Sequence, residues 1–71
     1  MESNRNIDFE FGNFIYSIIN HSRYTYSEIA EFLGVSDRMI GYYCSGEKKP
    51  NSKRLLKMLK FLNVSPQDIP F

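Results

Sequence analysis

Residues 34–50, GVSDRMIGYYCSGEKKP, decide how this chain is read. Ser36 is a good N-cap, Gly46 a good helix stop, and Pro50 prevents the helix from resuming. A helix from about Asp37 to Ser45 follows, yet its interior holds a glycine, two adjacent tyrosines and the chain's single cysteine. A glycine inside a helix costs about 1 kcal/mol relative to alanine. Helical phase, at about 100° per residue, sorts the segment into two faces. Ile40, Tyr43 and Cys44 share one, which is read as core. Arg38, Gly41, Tyr42 and Ser45 share the other, with Asp37 at the helix start.

Apolar residues recur at helical spacing on either side of this segment. Upstream, Phe11, Phe14, Ile15, Ile18 and Ile19 predict a first helix from about Asp8 to His21, with Gly12 a weakness that the sequence does not explain. In TYSEIAEFLG, Thr25 and Glu28 form a capping box. Tyr26, Ile29, Ala30 and Leu33 make one apolar face, and Gly34 suits a left-handed helix end. Downstream, Leu55, Leu56, Met58, Leu59 and Leu62 predict a fourth helix from about Ser52 to Leu62. SPQD at 65–68 then starts a short C-terminal helical turn. No run alternates as a strand would. The fold class is all-α, four helices plus that turn. Residues 1–7 are polar and are expected to form a flexible arm, leaving one domain over residues 8–71.

With 71 residues the chain is near the lower limit for an autonomous core, and its eleven Phe and Tyr residues supply much of one. One cysteine and one histidine provide neither a disulfide nor a zinc ligand set, so no metal or cofactor is expected. No apolar run approaches the roughly 20 residues of a membrane span, and the N-terminus lacks a signal-peptide pattern. The expected setting is therefore cytoplasmic.

Net charge is +1, but it is unevenly spread. Residues 1–35 carry two cations against five carboxylates, whereas residues 36–71 carry seven against three. A basic half on a near-neutral chain makes a local positive footprint; it also fits a solvated lysine-rich helix face.

Two short helices joined by LGVSD, with small Ala30 in the first and Gly34 at the turn, match a helix-turn-helix unit at about residues 25–45. The segments YTYSEIAEFLGVSDRMIGYYCSGEKKP and LLKMLKFLNVSPQDI resemble the XRE family of helix-turn-helix domains, the phage repressor and Cro type. The resemblance covers roughly residues 11–69 and implies a lambda-repressor-like domain that binds double-stranded DNA. SDRMIGYYCS is more weakly similar to the recognition helix of small repressors encoded beside anti-CRISPR genes. The family often pairs an arginine near the end of its first helix with a glutamate at the end of its third. Those positions here are Ile19 and Cys44, so both partners are apolar and no lone charge remains. Where the family often has a glutamine, this chain has Tyr26.

The resemblance sends the outer face of the third helix into a major groove. Arg38 is the leading candidate for base readout, because its guanidinium can donate twice to guanine O6 and N7. Tyr42 can meet a thymine methyl, and Asp37 can accept from cytosine N4 or simply favour the helix dipole. Gly41 would let the helix approach a base edge. Backbone contacts are expected from Tyr26, Ser36, Ser45, Lys48, Lys49, Asn51, Ser52, Lys53 and Arg54. So small a headpiece implies a homodimer on an inverted-repeat operator, with no small-molecule ligand. The alternative is a protein-interaction module of the same fold, such as an antitoxin or inhibitor. Catalysis is not expected, since His21 stands alone and Cys44 falls on the inward face.

Overall fold

The computed structural model describes residues 7–65 and 67, which form four helices: α1 (Phe9–Asn20), α2 (Tyr26–Leu33), α3 (Asp37–Ser45) and α4 (Ser52–Phe61). No strand occurs among the described residues. Apart from Ile7, the expected N-terminal arm lies outside the described residues, as does most of the expected C-terminal turn.

Local sequence accounts for the four helix starts and for the ends of α2 and α3. Asp8 caps α1, its carboxylate accepting from the Phe11 N–H at 2.9 Å. Thr25 and Glu28 form the expected reciprocal capping box on α2. Gly34 then ends α2 at φ 74°, a left-handed conformation that glycine adopts without steric cost. Ser36 caps α3 by accepting from Met39 N–H, and Gly46 ends it at φ 82°. Asn51 caps α4, with Oδ1 accepting from Arg54 N–H at 2.7 Å.

The core is formed where the inward stripes of all four helices meet. Phe11, Ile15 and Ile19 come from α1, Ile29, Ala30 and Leu33 from α2, Ile40 and Tyr43 from α3, and Met58 from α4. α3 packs against both α1 and α2, and α4 closes against α2. Cys44 and Leu55 pack on this cluster from its edge, half-buried. Leu56 departs from the periodic expectation: it is 49% exposed and does not enter the core.

Gly12, unexplained by helix propensity, lies where the backbone of α1 crosses the end of α3. A Cβ on Gly12 would stand 2.7 Å from Gly46 N, 2.7 Å from Ser45 C and 2.8 Å from Cys44 O. Opposite it, a Cβ on Gly46 would stand 2.1 Å from the Asp8 carbonyl oxygen. Backbone therefore meets backbone at this crossing, and Asp8 N–H donates to the Gly46 carbonyl at 3.0 Å. Lys49 Nζ, 2.9 Å from Asp8 Oδ2, ties the α3–α4 loop to the same point. The start of α1 thereby fixes the end of α3. No helix among the described residues is long and apolar enough to cross a membrane.

Candidate nucleic-acid interface

The two-face reading of α3 holds in three dimensions. Ile40 and Tyr43 are buried, and Cys44 is half-buried against the core. Arg38 and Ser45 are exposed, with Gly41 and Tyr42 half-buried between them. The space around Gly41 is open: a Cβ there would meet nothing within 4 Å. Unlike Gly12, this glycine is not required by packing inside the protein. Arg38 has no ion-pair partner among the described residues, so its guanidinium is available to an outside acceptor.

Asp37 is held by a contact that its sequence position did not reveal. The Ser27 hydroxyl, on α2, donates to Asp37 Oδ2 at 2.5 Å. This bond joins the exposed starts of α2 and α3 and leaves the second carboxylate oxygen of Asp37 able to accept from elsewhere. Ser36 accepts a backbone N–H through its Oγ, while its own proton remains free to donate.

The backbone-contact candidates divide by what already engages them. Lys48 Nζ lies 4.9 Å over the Tyr42 ring, which brings a cation to the edge of the outer face of α3. Lys49 is committed to Asp8 and also sits 5.4 Å over the Phe11 ring. Ser45 Oγ donates to the Tyr42 carbonyl at 3.0 Å and lies 3.2 Å from Glu47 Oε2, so its proton already has acceptors within the loop. Asn51 spends its carbonyl oxygen on the α4 cap and keeps its amide donors. Ser52 and Lys53 are exposed, and Arg54 is half-buried, all at the start of α4. Asn51, Lys53, Arg54, Lys57 and Leu33 border a shallow cleft of about 190 Å³.

Tyr26 turns inward rather than outward. The neighbouring Cys44 thiol, together with partial burial, raises its phenol to about 12. Burial pushes the Cys44 thiol up, against the opposing effect of the Tyr26 hydroxyl. The Ile19–Cys44 substitution is thus only partly apolar in effect: Ile19 is buried, while Cys44 gains a hydroxyl partner.

Arg38, Gly41, Tyr42 and Ser45 lie on one side of α3 as helical phase predicts, and Ser52, Lys53 and Arg54 stand together at the start of α4. The Ser27–Asp37 and Asp8–Lys49 contacts, and the proximity of Tyr26 to Cys44, join residues far apart in sequence and have no local signal. The Asn51 cap had a readable signal, an asparagine directly before a helical apolar pattern.

Comparison with known proteins gives one match. The helix-turn-helix family model matches residues 15–69. No curated protein and no solved structure matches the chain.

Proposed function

The chain belongs to the XRE-type helix-turn-helix family of DNA-binding regulators, and on that basis we propose a sequence-specific repressor of transcription. It would act as a homodimer on an inverted-repeat operator overlapping a promoter. Occupancy alone would block transcription, in the bacterial cytoplasm, at operons of phage or other mobile elements, anti-CRISPR operons among them. Half-site centres are then expected about 34 Å apart, or a multiple of that.

The observation that carries this reading is the outer face of α3, where an unpaired Arg38 stands beside the open space over Gly41. Arg38 reads guanine, Tyr42 and Asp37 read neighbouring bases, and Gly41 permits close approach. Ser36, Lys48, Ser52, Lys53 and Arg54 hold phosphates and set the register without reading sequence. Lys49 and Asn51 add to that backbone set through the donors their internal contacts leave free. Ser45, whose hydroxyl proton already has acceptors within the protein, and Tyr26, which packs partly buried against the core, are left with supporting roles.

The test is Arg38→Ala on a duplex bearing the preferred site. Loss of discrimination at one base pair by about 1–3 kcal/mol, with the fold intact, is the expected result. Undiminished discrimination refutes the assignment. If affinity for DNA is indifferent to salt, the phosphate contacts are absent and the interaction-module reading takes their place.

A further inference from the structure

Beyond Lys53 at its start, which the DNA reading places on phosphate, the solvent face of α4 carries a surface that the DNA reading does not use. Lys53, Lys57 and Lys60 recur at i, i+4 and i+7, forming one stripe along the helix. With Leu56, Leu59 and Val64 they line a groove of about 450 Å³. Leu56, which lines that groove, is the α4 leucine that fails to reach the core. An aromatic shelf stands beside it: Phe61 stacks on Phe32 with ring centroids 4.1 Å apart and meets Tyr24 at 4.3 Å. The Lys57 ammonium lies 5.2 Å over the Phe32 ring. None of the three lysines has an ion-pair partner among the described residues.

We propose that this groove docks a short acidic amphipathic helix of a partner protein. Its apolar side chains would cover Leu56 and Val64, which flank the buried Leu59, and carboxylates beside them would meet Lys57 and Lys60. Charge complementarity chooses this occupant over the others. A second copy related by a twofold axis would set the lysine stripe against itself, like charge facing like. A nucleic-acid backbone would satisfy the ammonium groups but offers no apolar group to cover Leu56. Lys60 also lies about 10 Å along the helix from Lys53 at the α4 start, at 1.5 Å rise per residue. This inference stands apart from the role of α3.

The experiment uses the full chain, isotope-labelled, with amide shifts followed during titration. Three helical peptides serve as probes. One carries leucines at i, i+3, i+4 and i+7 flanked by glutamates, the second replaces the glutamates with lysines, and the third replaces the leucines with serines. Only the Leu/Glu peptide is expected to shift the amides around Leu56, Leu59 and Val64. Lys57→Glu with Lys60→Glu, checked for an unchanged circular dichroism spectrum, should weaken it about tenfold and admit the Leu/Lys peptide instead. Equal binding of the Leu/Glu and Leu/Lys peptides overturns the proposal, as do shifts located elsewhere or none at all. So does a mismatched DNA duplex that shifts the same amides, which would assign the lysines to phosphate. A chain that sediments as a dimer and becomes monomeric on Leu56→Glu would give the groove to a second copy, and also overturns it.

Discussion

Gly12 and Gly41 have the same intrinsic helix propensity and opposite structural situations, so one substitution separates packing from propensity. Gly12→Ala places a methyl group 2.7 Å from backbone atoms of α3. Reaching ordinary contact at 3.4 Å requires α1 and the end of α3 to part by about 0.7 Å. Those atoms are main chain, so no rotamer change relieves the clash. Overpacking of this kind costs about 1–3 kcal/mol, and the rigid neighbours argue for the upper end. Parting the helices also strains the Asp8–Gly46 backbone bond, which adds about 1 kcal/mol. Improved helix propensity returns about 1 kcal/mol. The net expectation is a loss of about 3 kcal/mol. Gly41→Ala adds a methyl group to open space and should gain about 0.5–1 kcal/mol. Equilibrium urea denaturation followed by circular dichroism gives both numbers. In thermal melts each kcal/mol moves the midpoint about 4–8 °C for a chain of this size. A Gly12→Ala protein as stable as the parent would refute the claim that the α1–α3 crossing requires glycine. The Gly41→Ala protein should bind its operator more weakly despite being more stable; unchanged binding would make that glycine incidental to DNA.

Three further outcomes follow from the contacts around α3. Tyr26→Phe removes the hydroxyl that neighbours Cys44 and keeps the ring packed on the core, so both stability and DNA affinity should change little; a large affinity loss in a filter-binding or anisotropy assay would return Tyr26 to the phosphate set. The Phe11 N–H and the Lys49 ammonium hold the Asp8 carboxyl below its ordinary 3.8, so the native state binds this proton less readily than the unfolded chain. The associated stability is present above pH 3.8 and is lost as pH falls through the lower native value. Asp8→Asn should therefore show a shallower decline in thermal midpoint below pH 4 (about the ordinary carboxylate value) than the parent does. Lys48→Ala should weaken binding to all duplexes alike and reduce the salt slope by about 0.9, and Lys49→Ala should do so by less, since Lys49 is already paired with Asp8.

Much of this fold is legible in the sequence because its helix ends are written locally. Thr25 with Glu28, Ser36, Gly34 and Gly46 are signals within one turn of the boundaries they set, and α3 begins and ends where they place it. The two faces of α3 follow from phase alone. What sequence could not supply are relations between residues distant along the chain. Gly12 is a poor helix former until Gly46 lies across from it, and Ser27 is an ordinary exposed serine until Asp37 is beside it. Leu56 fits the apolar pattern of α4 as well as Leu59 does; only the position of the neighbouring helices leaves one in solvent and the other buried. Tyr26 could be assigned to a phosphate on position, but the orientation of its hydroxyl depends on Cys44 in the next helix.

The central claim is that the outer face of α3 reads base sequence, with Arg38 as its main determinant. Selection of bound duplexes from a random pool tests it most directly, run in parallel on the parent and on Arg38→Ala. The parent should enrich an inverted repeat containing a guanine at one symmetric position, and Arg38→Ala should lose preference at that position. A parent that enriches no sequence, or an Arg38→Ala protein that enriches the same one, would contradict it.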